Sequence, residues 1–136
     1  MNTTPTIDVI SRSDWTEDEA RRRFGGGAYV QHSRGIPDGM TGIIDYLTDL
    51  TKRFPEYSYD VRTMIADGDL VTFHSHATMK AKHRGDDGKG FNIIDTWRIE
   101  DGRIAEHWDA IQPLDFSMRL FALFAGGRRR NDNPVF

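Results

Sequence analysis

An aspartate and a histidine–aspartate pair in the second half of the chain are of residue types that carry acid–base chemistry. Asp95 lies within 91–100, a segment that alternates as a β-strand does. The other residues of its face are apolar: Phe91, Ile93, Trp97 and Ile99. A carboxylate on a buried face is costly unless it is paired or protonated, and desolvation raises its pKa toward the range that general acids and bases need. Asp95 is therefore a candidate catalytic residue, or alternatively an aspartate that only satisfies a neighbouring donor.

His107 and Asp109 form the second candidate feature, in the strand-like segment 103–112. Residues two apart on a strand lie on the same face, so the imidazole and the carboxyl group could exchange a proton. The alternative is an ordinary exposed polar face. Together, Asp109, Asp95 and His107 are the candidate catalytic residues.

His74 and His76 share one face of a further strand-like segment, 70–82. Two histidines at that spacing suit a metal site if a third ligand lies nearby. The residues that could supply it are Asp95, Asp109 and His32. Because the helical zinc motifs are absent from the sequence, we favour histidines that line a pocket, and we expect no metal and no cofactor.

The size and composition of the chain exclude several classes of protein. Its 136 residues predict a single domain, 1–136. It has no cysteine, no secretory-type first segment and no apolar run of about 18 residues, so we expect a cytoplasmic location and no membrane partner. The net charge of −3 does not favour binding of nucleic acid.

Helices and strands at recognisable periods must position the candidate residues. Helix signals, namely a capping box or apolar residues at helical spacing, cover 16–24, 40–54 and 116–124. Period-two alternation predicts four strands: 57–65, 70–82, 91–100 and 103–112. The tail, 126–136, is expected to be disordered. Helices followed by an antiparallel sheet indicate the α+β class.

Three blocks of sequence, taken in order, carry a resemblance to a known family. The blocks are 29–55, with Tyr29-Val30-Gln31-His32; 68–77, with His74-Ser75-His76; and 95–113, with Glu106-His107-Trp108-Asp109. In this order and spacing the chain, over about 24–113, resembles the SnoaL-like polyketide cyclase family of the nuclear transport factor 2-like superfamily.

The resemblance implies a cone-shaped fold, in which a curved antiparallel or mixed sheet packs on helices around an apolar pocket. It also implies a cofactor-independent enzyme that cyclises or isomerises a small apolar or polycyclic carbonyl compound by acid–base chemistry. Asp109 corresponds to the acid–base aspartate of the family, whereas Asp95 stands where the cyclases usually carry a histidine. The residues expected to bind substrate are His32, Tyr29, His74, His76, Trp97 and Phe91.

The resemblance further implies a homodimer, because relatives in the superfamily usually pair through the outer face of the sheet. The apolar segment 114–125, from the same chain or from a partner subunit, is the expected cover for the open end of the cone. Two alternatives remain open. One is a non-catalytic ligand-binding or dimerisation module of the same fold, and the other is a metal-dependent site built on His74, His76 and the aspartates.

The turn at 101–102 decides which candidate residues share a face. A two-residue loop would send Asp95 and Asp109 to opposite faces of the sheet. A three-residue loop would pair Asp95 with His107 and place both of them on one face with Asp109, while Trp108 faces outward. The turn residues suit both loops. The resemblance favours the second, so we expect the three-residue loop.

Overall fold

A computed structural model describes residues 18, 19, 22, 29–125 and 130–134 of the chain. Asp18, Glu19 and Arg22 are helical, which agrees with the helix predicted over 16–24. The remainder of that helix lies outside the described residues. Among the described helices, none is long and apolar enough to cross a membrane.

One mixed sheet of five strands forms the centre of the described fold. The strands and the two long helices are β1 (Val30–Gln31), α1 (Gly39–Arg53), β2 (Ser58–Asp67), β3 (Leu70–Thr78), β4 (Phe91–Glu100), β5 (Arg103–Pro113) and α2 (Phe116–Ala125). The strand order is β1-β5-β4-β3-β2, with β1 parallel to β5 and all other neighbours antiparallel. A short 3-10 helix, Ala81–His83, occupies the end of the segment predicted as the 70–82 strand. The α+β class expected from the sequence is confirmed.

Helix α1 packs on one end of a sheet face. Its apolar residues recur at helical spacing, and the helix ends where the N–H of Phe54 bonds the carbonyl of Leu50. Ile43 and Ile44 are buried against Tyr29, Ile36 and Ile104, and the partly buried Trp97 and Ile99 pack on this cluster. The cluster holds α1 and the residues on both sides of β1 against strands β4 and β5.

Helix α2 packs on the other end of the same face. Its residues Met118 and Phe121 contact a buried cluster of Ala77, Phe91 and Ile93. Asp115 anchors the start of the helix, because its carboxylate accepts hydrogen bonds from Ser117, from the N–H of Met118 and from the N–H of Gly90. These bonds, led by the one from the Ser117 side chain, lower the pKa of Asp115 to about 2. In β4, Asp95 therefore lies between the two apolar clusters.

A bulge interrupts strand β2, so its predicted alternation holds only in its first half. Val61 pairs with Ser75 and Thr63 pairs with His74, which leaves Arg62 as the extra residue. Beyond it the faces exchange, and Ile65, predicted to share the face of Tyr59, is 62% exposed. The strand predicted over 57–65 is present, but its period-two alternation holds only as far as Val61.

The turn between β4 and β5 has two residues, so the predicted three-residue loop was wrong. Asp101 and Gly102 both have positive φ, 50° and 74°, as the tight hairpin turn of this type requires. With this turn alone, Asp95 and Asp109 would lie on opposite faces of the sheet. A bulge at Ala105 returns them to the same face, because Ile99 pairs with Ile104 while Arg98 pairs with Glu106.

The bulge at Ala105 places the candidate catalytic residues on one face. Asp95 pairs with Asp109, and Trp97 pairs with His107. Residues directly opposite each other in an antiparallel pair lie on the same face. The expected common face of Asp95, His107 and Asp109 is therefore confirmed, although the expected pairing of Asp95 with His107 was wrong.

Candidate active site

A buried carboxyl–imidazole pair is the centre of the site. Oδ1 of Asp95 lies 2.9 Å from Nε2 of His107, and Oδ2 accepts a hydrogen bond from the hydroxyl of Tyr59. Asp95 and His107 are 8% and 2% exposed. Both carboxyl oxygens of Asp95 are thus occupied, which explains how an aspartate is tolerated in the middle of an apolar face.

Gln31 determines that the second ring nitrogen of His107, Nδ1, carries a hydrogen. Its side-chain oxygen accepts from the backbone N–H of Ser33 at 2.9 Å, and its amide nitrogen donates to the hydroxyl of Tyr29 at 2.9 Å. The same oxygen lies 3.1 Å from Nδ1 of His107. Because an amide oxygen can only accept, Nδ1 of His107 must carry a hydrogen.

The short contact between His107 and Asp95 therefore contains a single proton. With Nδ1 protonated, the proton between Nε2 and Oδ1 lies either on the imidazole, giving an ion pair, or on the carboxyl group, giving a neutral pair. In both forms the pair has no net charge. The ring of Trp97 stacks on the imidazole with centroids 3.7 Å apart and excludes water from that side.

Asp109 is the less buried carboxyl group of the site. It lies directly across the strand pair from Asp95 and retains partial exposure. Desolvation raises its pKa, and the negative charge of Asp95 acts in the same direction, whereas the neighbouring His107 and a hydrogen bond with Ser33 lower it. The net effect is a raised pKa, which is the property of a carboxyl group that accepts and returns protons near neutral pH.

The negative charges of Asp95 and Asp109 act on all four tyrosines of the chain. Burial is the main cause that raises the phenol pKa of Tyr29, Tyr46, Tyr57 and Tyr59, and the charge of Asp95, of Asp109 or of both raises it further. All four phenols are therefore neutral at physiological pH and able to donate hydrogen bonds. Tyr46 and Tyr59 remain 40% and 39% exposed, so a bound molecule can reach them.

Three of the predicted pocket residues lie on the opposite face of the sheet. His74 hydrogen-bonds Asn92 at 2.6 Å, and Nε2 of His76 donates to the carbonyl of Lys89 at 2.7 Å. His32 stacks on Trp108, with centroids 4.6 Å apart. The interpretation of these histidines as neighbours of Asp95 does not hold.

The metal-dependent alternative loses its ligands for the same reason. His74 and His76 project from one face of the sheet, whereas Asp95 and Asp109 project from the other. In the part of the chain that the structure describes, no three histidine or acidic side chains come close enough to hold a metal ion.

The other predicted substrate-binding residues lie on the same face of the sheet as the Asp95–His107 pair. Tyr29 and Trp97 lie beside the pair, because Trp97 stacks on His107 and Tyr29 stacks on Trp97. The indole N–H of Trp97 is buried and has no acceptor among the described residues. Phe91 belongs to the cluster under α2, at the other end of the face.

Two residues of the site were missed. Tyr59 bonds Asp95, and its position in the alternating segment after Pro55 was a usable signal, because it placed a phenol on the same face as the apolar residues. Gln31 is fully buried beside His107. A lone glutamine in a two-residue strand gives no pattern that sequence reasoning can detect.

The fold agrees with what comparisons with known proteins find. A family model described as a SnoaL-like domain matches residues 7–107 of the chain. The chain belongs to the SnoaL-like domain family. No curated protein matches this SnoaL-like domain.

Solved structures share the fold of this SnoaL-like domain. A candidate SnoaL-like polyketide cyclase from Jannaschia sp. CCS1 is 15% identical, with a TM-score of 0.60, over 91% of this chain and 94% of that one. A candidate isomerase of the SnoaL-like family from Agrobacterium tumefaciens is 18% identical, with a TM-score of 0.58, over 79% and 92%.

A third structure, a candidate polyketide cyclase from Bacillus cereus ATCC 10987, is 22% identical with a TM-score of 0.57. The match covers 71% of this chain and spans 64% of the length of that protein. At these identities the likeness establishes the fold, which is the nuclear transport factor 2-like fold, and it leaves the reaction to be argued from the site.

Proposed function

We propose that this SnoaL-like domain is a cofactor-independent enzyme that performs an aldol-type cyclisation or an isomerisation of a small apolar carbonyl compound. One observation carries the proposal. Asp109, a partly accessible carboxyl group with a raised pKa, faces a buried Asp95–His107 pair that shares one proton. Acid–base catalysis at carbon needs such a base in a poorly hydrated site.

Asp109 is the general base in the proposed reaction. Its carboxylate removes a proton from the carbon next to a substrate carbonyl group, and the electron pair of that C–H bond forms an enolate. The Asp95–His107 pair opposite carries no net charge, so it adds little repulsion to the developing enolate. His107 and Asp95 modify the pKa of Asp109 and form one side of the site.

A neutral phenol stabilises the enolate oxygen. Tyr46 is exposed and close enough to Asp109 to feel its charge, whereas the hydroxyl hydrogen of Tyr59 is already donated to Asp95. A hydrogen bond from a preorganised donor strengthens as charge develops on the oxygen, and one such donor commonly contributes 100-fold or more, roughly 3 kcal/mol.

The proton returns at the end of the reaction, so no other reactant is needed. In a cyclisation the enolate carbon forms a bond to a second carbonyl carbon of the same molecule, and the resulting alkoxide takes the proton from Asp109. In an isomerisation Asp109 returns the proton to a different carbon. Neither route oxidises or reduces the substrate.

The residues around Asp95 favour an apolar substrate. Aromatic and aliphatic residues from the two clusters flank Asp95 on either side. The names of the similar structures, polyketide cyclase and isomerase, belong to those proteins and are compatible with the same substrate class here. The cytoplasmic location expected from the cysteine-free sequence remains part of the proposal.

Exchange of substrate hydrogen for deuterium tests the proposed chemistry without knowledge of the true substrate. We expect the protein to accelerate the exchange of α-hydrogens of an apolar diketone in D2O, measured by proton NMR, over the rate in buffer alone. A protein that binds such diketones tightly but exchanges none of their α-hydrogens would be a ligand-binding module instead of an enzyme.

We also propose that the protein is a homodimer, with the exposed side of α2 covered by a second copy. Phe116, Leu123 and Phe124 are 78%, 75% and 81% exposed. An open apolar groove of about 500 Å³ runs along the same helix and is lined by Met118, Leu120, Phe121 and Phe124 together with Ser117. A run of exposed aromatic and aliphatic side chains on one short helix marks an interaction surface.

Sedimentation velocity tests the dimer. We expect a species of twice the chain mass at micromolar concentration, and a shift to monomer when Phe116 and Phe124 are both replaced by serine. A wild-type chain that sediments as a stable monomer would contradict the dimer and leave the acid–base site unaffected.

A further inference from the structure

We propose that residues 130–134 form a strap that positions the Asp95–His107 pair by holding Gln31. The strap lies far from the pair in sequence but hydrogen-bonds the segment 31–38, in which both Gln31 and Ser33 lie. Its effect on catalysis rests on the proposed function, whereas its effect on the imidazole does not. The expectation that the whole tail is disordered does not hold for these residues.

Asn133 closes the free edge of the shortest strand. Among the described strands, β1 is at the edge of the sheet and pairs only with β5. On its open side, the N–H of Gln31 donates to Oδ1 of Asp38 at 2.8 Å, and the carbonyl of Gln31 accepts from the side-chain amide of Asn133 at 2.8 Å. The same amide also donates to Oδ1 of Asp38 at 2.8 Å. Three residues thus form a closed set of bonds around the backbone of Gln31.

Asn131 holds the loop that follows β1. Its side-chain amide donates to the carbonyls of Ser33 and Ile36, each at 2.9 Å, and the residue is 8% exposed. The N–H of Arg130 donates to the carbonyl of Arg34 at 2.8 Å. These bonds fix the loop whose Ser33 N–H orients the side chain of Gln31.

His32 connects Pro134, the last described residue of the strap, to the face of the sheet opposite Asp95. Nδ1 of His32 lies 2.6 Å from the carbonyl of Pro134, and because a carbonyl only accepts, Nδ1 carries the hydrogen. Nε2 lies 3.1 Å from Oε2 of Glu106, which also bonds Arg98 through its other oxygen. The predicted pocket residue His32 thus has a different role, as an anchor for the strap.

The positioning role follows from the bonds that hold the backbone of Gln31 in place. A strand of two residues supplies few ladder bonds, so the backbone of Gln31 depends on Asp38 and Asn133. The side-chain oxygen of Gln31 determines that Nδ1 of His107 carries a hydrogen. If the strap is released, Gln31 moves more freely and the Nδ1 hydrogen of His107 becomes open to water.

Asn133→Asp is the test variant, because it preserves the shape of the side chain and removes both donated hydrogens. The new carboxylate faces the carbonyl of Gln31 and the carboxylate of Asp38, and both repel it. We expect the Nδ1 hydrogen of His107, observed by proton NMR, to exchange with water at least about tenfold faster than in the wild type, with an unchanged circular dichroism spectrum. Asn92→Asp makes the same chemical change on the outer face, beside His74, and should leave this signal unaltered.

An unchanged exchange rate in folded Asn133→Asp would overturn the proposal. If that variant does not fold, Asn133→Ala is measured in the same way, since it removes the bonds without adding repulsion, and an unchanged rate there would be equally decisive. The signal is recorded without substrate. A wild-type protein that fails to exchange α-hydrogens would therefore refute the proposed function and leave the strap to be judged on this measurement alone.

Discussion

Asp109→Asn should remove catalysis and, at neutral pH, make the fold more stable. The amide retains the size of the side chain and its capacity to accept from Ser33, but it cannot take up a proton. Because general acid–base catalysis contributes about 100-fold to 10,000-fold, we expect the rate of α-hydrogen exchange to fall by at least about 100-fold. The increase in stability follows from the raised pKa of the carboxyl group that is lost.

The sign of the stability change depends on pH. The pKa of Asp109 is higher in the folded protein than the ordinary value of 3.8, mainly because the charged form is desolvated. The ionised wild type therefore carries a penalty that grows as pH rises from 3.8 through the folded-state pKa, and the neutral amide avoids it. We expect a higher free energy of unfolding for Asp109→Asn at pH 7, and equal values for variant and wild type below pH 3.8.

Urea denaturation at pH 7 and at pH 3.5, together with the exchange assay, measures both effects. Asp87→Asn, an exposed loop substitution, is the control and should alter neither quantity. A variant that retains more than a tenth of the wild-type rate would count heavily against Asp109 as the base. A variant less stable than the wild type at pH 7 would contradict the desolvated environment.

Asp95→Ala should destabilise the protein by about 3 kcal/mol or more, because it leaves a buried imidazole nitrogen without a partner and removes the acceptor of a partly buried phenol. Those groups are Nε2 of His107 and the hydroxyl of Tyr59, which both contact the carboxyl group in the wild type. In a domain of this size such a loss lowers the melting temperature by roughly 10 °C. Urea denaturation at pH 7 gives the free energy directly.

Asp95→Asn separates the hydrogen bonds from the shared proton. Its amide oxygen can accept from Tyr59, and its amide nitrogen can donate to Nε2 of a neutral His107 whose Nδ1 carries the hydrogen. We expect its stability to stay within about 1 kcal/mol of the wild type, while its rate of α-hydrogen exchange falls at least about tenfold. Equal destabilisation by alanine and asparagine would show that the contacts of Asp95 are not those described.

The elements of the fold were largely predictable because they depend on local periodicity. The apolar spacing of 40–54 and the alternation of 91–100 and 103–112 correspond closely to α1, β4 and β5. An aspartate within the apolar face of 91–100 correctly indicated a buried carboxyl group. These inferences need only the 3.6-residue and two-residue periods and the cost of burying charge, all of which are properties of the sequence itself.

The arrangement of the site was decided by tertiary structure. The Asp101-Gly102 turn allows two registers, and one extra residue, Ala105, determines that Asp95 faces Asp109. A bulge is a small difference in backbone path that packing on both sides selects, and no local residue preference specifies it. The histidines of β3 failed as pocket residues because the face of a strand is set by its neighbours in the sheet and by the helices packed on it.

The hydrogen-bond partners of the Asp95–His107 pair also could be identified only from the folded chain. Tyr59 reaches Asp95 from two strands away, Gln31 reaches His107 from the neighbouring strand β1, and Asn133 reaches Gln31 from the tail. The sequence by itself determined the elements, the α+β class and the residue types able to do chemistry. Which side chains share a proton was decided by contacts between residues 12 to 102 positions apart, because hydrogen bonds depend on distances and directions that only the packed sheet fixes.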